Sequence, residues 1–140
     1  MIVLDTNVVS ELMAATPAAS VLQWIAGRAA LSLYTTSITQ AEILNGVLAL
    51  PSGRRRRNIE AAADAMFKED FAGRILAFDS AATRPFAELV NERRHRGRPI
   101  SQSDAQIAAI ARVAGASVAT RNVADFEHTG ISVINPWADA

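Results

Sequence analysis

The chain has 140 residues, half of them hydrophobic, which suffices for one domain with its own core, and it has no cysteine. Disulfides and thiolate metal sites are therefore excluded, leaving oxygen donors to hold any metal. Fourteen basic and fourteen acidic residues cancel, so no global field draws the chain to nucleic acid; no run approaches a membrane span of roughly 18 apolar residues and no secretory pattern opens the sequence, so we expect a cytoplasmic, single-domain protein over residues 1–140.

Ile2-Val3-Leu4 runs directly into Asp5-Thr6-Asn7. An unbroken apolar run of this kind fits a parallel strand covered on both faces. Asn7 to Met13 carries Val8, Val9, Leu12 and Met13 at helical spacing. Thr16-Pro17 reads as the cap and first position of a second helix, which stops at Gly27. Leu31 to Thr36 is the second strand, and Ser37 opens a third helix whose stripe is Ile43, Leu44, Val47 and Leu48. Arg54 to Phe71 reads as a long helix closed by Gly73, and Ile75 to Phe78 as a third strand ending in Asp79. The next helix passes through Phe86, Leu89 and Val90; Pro85 leaves its start open between Ser80, which costs a backbone bond, and a cap at Thr83. Ser103 to Ala114 is a helix ended by Gly115, Ser117 to Thr120 a strand, Arg121 to His128 a turn or short helix, and Ile131 to Ile134 the last strand. This alternation predicts a three-layer α/β/α sandwich with a mostly parallel five-stranded sheet.

Ligands of open parallel sheets bind beyond the carboxyl ends of the strands, where the strand order reverses. With strands two and three on one side of strand one and strands four and five on the other, that crevice collects Asp5, Glu42, Asp104, Asn122 and Asp125. Acids gathered this way raise one another's pKa unless a cation sits among them. Carboxylates with water favour Mg²⁺, with Mn²⁺ able to substitute, and such ions promote phosphodiester hydrolysis by activating water and steadying the leaving oxygen. Each acid also has a plainer reading. Thr39-x-x-Glu42 matches a helix capping box, Ser101-x-x-Asp104 resembles one, and Asp79 reads as a cap at the sheet's edge. Asp5 is harder to dismiss, because an acid after a buried strand carries a desolvation cost without a partner.

The sequence resembles the PIN-domain family, specifically the VapC-like and FitB-like toxins of bacterial toxin–antitoxin systems. The resemblance rests on Ile2-Val3-Leu4-Asp5-Thr6-Asn7-Val8-Val9-Ser10-Glu11, Thr39-Gln40-Ala41-Glu42-Ile43 with Gly46, Ala72 to Leu76 with Phe78-Asp79, Ser103 to Ala108, Ala119 to Asn122 with Asp125-Phe126, and Asn135-Pro136-Trp137. It implies a Mg²⁺-dependent endoribonuclease held inactive by a cognate antitoxin, whose C-terminal segment covers the crevice and which alone reads operator DNA. It further implies that Asp5, Glu42 and Asp104 are catalytic, that Asp5 and Asp104 are the direct metal ligands, and that Thr6, Asn7 and Thr120 support them. A homodimer is expected by analogy. The fourth acidic position of the family falls on Asn122, so either Asp125 reaches the site or a second metal position is weak.

Guanidinium forks suit phosphates, which makes Arg54, Arg55, Arg93 and Arg96 candidate RNA contacts against the alternative of solvated helix ends. His95 and His128 are expected at the surface; Trp24, Tyr34 and Trp137 are expected to pack. Three competing functions remain. An interaction domain could bind an antitoxin without catalysis, a phosphoacceptor receiver would need a lysine near Asp5, and an Asp-nucleophile phosphatase would want a second acid where Asn7 stands.

Overall fold

Apolar side chains alternate along five short parallel strands, β1 (Ile2–Leu4), β2 (Leu33–Thr36), β3 (Ile75–Leu76), β4 (Ser117–Ala119) and β5 (Val133–Ile134), in a computed structural model that describes residues 1–138. Val3, Tyr34, Leu76, Val118 and Val133 point to one layer; Ile2, Leu4, Leu33, Ile75, Ala119 and Ile134 point to the other. Helices α5 (Ser80–His95) and α6 (Gln102–Ala114) pack on the first face. Helices α1 (Thr6–Leu12), α2 (Ala19–Ala26), α3 (Ser37–Leu48) and α4 (Arg54–Ala65) supply the second core. Val8, Val9 and Val21 are completely buried there, and each contributes roughly 1.5–3 kcal/mol of apolar burial. The three-layer sandwich is as expected.

The sheet runs β3-β2-β1-β4-β5, so the order reverses between β1 and β4 as the sequence reading requires. Val3 pairs with Tyr34 and Leu4 with Ala119. This register delivers Asp5, Thr36 and Thr120 to one edge. A hollow of about 520 Å³ lined by Leu12, Met13, Ile25, Ile59 and Met66 lies elsewhere, between the helices of the second layer.

Several boundaries differ from expectation. Helix α1 starts at Thr6 because Asp5 caps it, accepting from the Thr6 N–H at 2.8 Å. Helix α2 starts at Ala19 rather than Pro17, since the Glu11 carboxylate takes the Ala18 N–H at 3.3 Å and fixes the entry in place of Thr16. Ala30–Ser32 is a 3₁₀ turn with Leu31 78% exposed, so β2 begins only at Leu33. Helix α4 gives way to a π-helical turn, Met66–Asp70; Arg74 follows, donating to the Ala30 carbonyl at 2.9 Å and to those of Leu33 and Asp70. Strands β3 and β5 are two residues each, shorter than predicted.

Helix α5 starts at Ser80 with Asp79 as its cap, accepting from the Ala81 N–H at 3.1 Å. Pro85 therefore lies inside the helix, where it lacks a backbone donor. Pro85→Ala should restore that bond and raise stability by about 1 kcal/mol or more, read as an upward shift of the urea midpoint at constant slope. An unchanged midpoint would mean the helix already bends to accommodate the ring.

Candidate active site

Asp5 follows β1 into the crevice and keeps the ladder going by donating its N–H to the Ala119 carbonyl at 2.9 Å. The residue is 4% exposed. One carboxylate oxygen, Oδ1, caps α1; Oδ2 accepts from Thr120 Oγ1 at 2.9 Å and from Asn7 Nδ2 at 3.3 Å. The Asn7 amide also donates to Thr120 Oγ1 at 3.1 Å, while its carbonyl accepts the Arg121 N–H at 3.2 Å. Asp5, Asn7 and Thr120 thus form one fixed unit across β1 and β4. Burial pushes the Asp5 carboxyl from 3.8 up to about 6; the Thr120 and Thr6 hydrogen bonds oppose this, and the charges of Asp104 and Glu42 add to it.

Glu42 is not part of a capping box. The cap of α3 is Thr36, which accepts from the Thr39 N–H at 3.1 Å, so Glu42 falls in the second turn. Its Oε1 accepts from Thr6 Oγ1 at 2.9 Å. Since the Thr6 proton is committed there, Thr39 Oγ1 must donate in its 3.0 Å contact with Thr6 Oγ1. The relay Thr39 to Thr6 to Glu42 aims the carboxylate and leaves Oε2 without a protein partner among the described residues.

Asp104 sits in the first turn of α6, its N–H held by Ser101 Oγ at 3.2 Å as the cap pattern predicts. Ser101 is the cap, and it fixes the backbone of the site residue three positions on. Burial pushes the Asp104 carboxyl up; the Ser101 hydroxyl and Arg93 oppose this, while Asp125 and Glu42 add to it. Asp125 lies exposed on the 3₁₀ turn Val123–Phe126 and bears electrostatically on Asp104. Asn122 precedes that turn, exposed, with its N–H on Thr120 Oγ1 at 3.1 Å and its carbonyl accepting from the Asp125 N–H at 3.0 Å.

Arg93 corrects the sequence reading. It is 5% exposed, and its guanidinium donates to the carbonyls of Arg98 (2.7 Å), Asp125 (2.8 Å) and Glu127 (2.9 Å). A side chain spent on three carbonyls has little left for RNA; it braces the turn that carries Asp125. Arg96 is exposed but paired with Glu92 at 2.9 Å. Arg54 and Arg55 are exposed on the first turn of α4, and no ion pair engages them among the described residues. Both histidines are exposed, and Trp24 is buried with Arg28 over its ring. Lys68 lies in the turn leading into the amino end of β3, the wrong edge for a receiver.

Among the described residues, no three acids or histidines close on a single point. Asp5, Glu42, Asp104 and Asp125 nevertheless form a chain of carboxylates that act on one another, and the charges that bear most on Asp5 are the acids Asp104 and Glu42. Mg²⁺ commonly takes one or two carboxylates directly and keeps several waters. The donor set fits a hydrated ion of that kind.

Sequence reasoning passed over Arg121, whose N–H donates to Asn7 Oδ1 at 3.2 Å and whose guanidinium lies 5.1 Å from the Trp137 ring centre. The signal available was its place between Thr120 and Asn122.

The PIN domain family model matches residues 2–131. The chain is 42% identical to VapC ribonuclease Y4jK of Sinorhizobium fredii, over all of both chains. It is 34% identical to Toxin FitB of Neisseria gonorrhoeae, covering 99% of this chain and 100% of that one. Among solved structures, FitAB bound to an IR36 DNA fragment is similar with a TM-score of 0.92 and 34% identity, over 98% of this chain and 96% of that chain.

Proposed function

The chain belongs to the PIN domain family, and from that premise we propose that it is a cytoplasmic, single-domain toxin that cleaves RNA with Mg²⁺ and is silenced by a cognate antitoxin. The observation that carries this reading is a buried Asp5 raised to about 6, with the charges of Asp104 and Glu42 acting on it. Relatives named as a VapC ribonuclease and as Toxin FitB support the activity and the toxin role.

Asp5 and Asp104 would hold the ion. When bound, it supplies the positive charge that lets water lose a proton near neutral pH and that steadies the departing oxygen. Glu42, aimed by Thr6, would hold the attacking water and accept its proton at Oε2. Thr120 and Asn7 keep Asp5 in one rotamer, and Asn122 steadies the loop through Thr120. Asp125 would complete the acidic wall through water. Arg54, Arg55 and Arg96 would contact more distant RNA phosphates.

The antitoxin would cover the crevice with a C-terminal segment bearing a basic or aromatic side chain and would carry the contact with operator DNA, in keeping with the DNA-bound FitAB structure. A homodimer through α1 and α3 accompanies this reading. No helix among the described residues is long and apolar enough to cross a membrane.

The test is cleavage of mixed structured and unstructured RNAs by antitoxin-free protein in Mg²⁺ or EDTA, beside Asp104→Asn. Cleavage should need both the metal and the carboxylate. If folded, metal-supplemented protein cuts no more than the variant, the chain is a non-catalytic antitoxin-binding domain, with Asn122 in the fourth acidic position as the leading cause. Asp125→Ala should lower cleavage about ten-fold, and an unchanged rate would remove it from the site.

A further inference from the structure

We propose that Arg121 is a substrate-binding residue of the crevice, gripping the RNA phosphate next to the one being cut with a guanidinium held in place by Trp137. The assignment rests on the ribonuclease reading above. It starts from two fixed points.

The first is the backbone. The Arg121 N–H donates to Asn7 Oδ1, and the Asn7 amide nitrogen reaches Asp5 Oδ2, so two hydrogen bonds separate Arg121 from the central acid. The second is the indole. Asn135 Oδ1 accepts the Trp137 N–H at 3.0 Å and the Asn135 carbonyl accepts the Ala138 N–H at 3.1 Å, forming a tight turn around Pro136. This turn seats the half-buried Trp137 against the core behind β5, beneath the guanidinium. Stacking on the ring supports one face of the guanidinium and leaves its N–H edge for a ligand.

Electrostatics decides what that ligand is. Four acids lie in the crevice, yet Arg121 joins none of the ion pairs among the described residues. No carboxylate holds its guanidinium in an ion pair. Two arginines that reach the segment after Asn122 are committed elsewhere: Arg93 to carbonyls and Arg98 to Glu127 at 2.8 Å. An exposed guanidinium outside any ion pair, stacked on Trp137 and carried by a residue whose backbone is bonded to Asn7, fits a phosphodiester strand, which needs a local attraction where the acids repel it. A fork of N–H groups meets two phosphate oxygens at once.

The experiment measures binding of a fluorescein-labelled single-stranded RNA across a salt series, in the full chain carrying Asp104→Asn so that the strand stays intact. Arg121→Gln should weaken binding about ten-fold and reduce the slope of log K against log salt by about 0.7, the share of one single-strand phosphate. Trp137→Leu should lose part of the affinity, and Arg121→Lys should keep the slope while binding less tightly than arginine. The melting temperature of Arg121→Gln should match that of its parent, since the side chain is exposed. Equal affinity and slope in Arg121→Gln would overturn the assignment, as would weaker binding at an unchanged slope, which marks a base contact. The chain with native Asp104 is assayed for Mg²⁺-dependent cleavage alongside. If it cuts RNA while Arg121→Gln binds like its parent, only the Arg121 role falls; if it neither binds nor cuts RNA, the ribonuclease reading falls and this role with it.

Discussion

Asp5→Asn should make the metal-free protein more stable near neutral pH while lowering Mg²⁺-dependent RNA cleavage by at least about a hundred-fold. The Asp5 carboxyl ordinarily titrates at 3.8 and in the fold at about 6. Below 3.8 both folded and unfolded chains are protonated and no cost arises. As the pH climbs from 3.8 to 6, the unfolded chain releases its proton first, so stability falls through that window. It then stays lower by a few kcal/mol above it. Asparagine carries no charge and escapes this loss, but with one carbonyl oxygen it cannot serve all three donors that Asp5 meets. The net gain should be about 1–2 kcal/mol, after roughly 1 kcal/mol for the lost hydrogen bond. Thermal melts from pH 4 to 8 test this. The parent should decline with pH where the variant stays flat, and added Mg²⁺ should lift the parent alone. A variant that melts lower than its parent across the range would mean that the Asp5 charge is not a burden on the fold.

Arg93→Met should cost on the order of 3 kcal/mol and lower the melting temperature by roughly 10 °C. The guanidinium is buried and faces three carbonyls, two of them on the turn that carries Asp125. Methionine fills the space of the stem but leaves those carbonyls without donors. Lysine should recover less than half of the loss, since one ammonium cannot span the same three acceptors. Removing this charge also takes away an influence that lowers the Asp104 pKa, so the acid limb of the cleavage profile should move to higher pH. Urea denaturation reads the first effect and the pH–rate profile the second. A loss below about 0.5 kcal/mol would place Arg93 with ordinary surface residues.

The sheet order, the placement of Asp5 at a strand end and the caps Asp79 and Ser101 were legible because each depends on near neighbours: an apolar run, an acid or hydroxyl before a helical stripe, a strand count. Longer reach defeated the sequence. Arg93 looks like Arg94 and Arg96 until a segment some thirty residues later returns to place its carbonyls around that one side chain. Thr39 reads as the cap from its spacing to Glu42, but Thr36 takes that role in the fold and so releases Glu42 toward Thr6. Ala18 finds its acceptor on Glu11, seven residues back and in another helix, a pairing no local capping pattern encodes.

The bond from Thr120 to Asp5 joins residues 115 positions apart, and β1 takes β4 as one of its two neighbours. Contacts so distant in sequence form late, after the entropy of closing the intervening loop has been overcome. On a ribosome, β1 emerges early and must wait through α1 to α6 before its neighbour arrives. A nascent chain that has not yet released β4 therefore has no crevice, because the Thr120 hydroxyl that holds Asp5 has not arrived. Synthesis itself withholds the assembled acidic site until almost the whole fold is out.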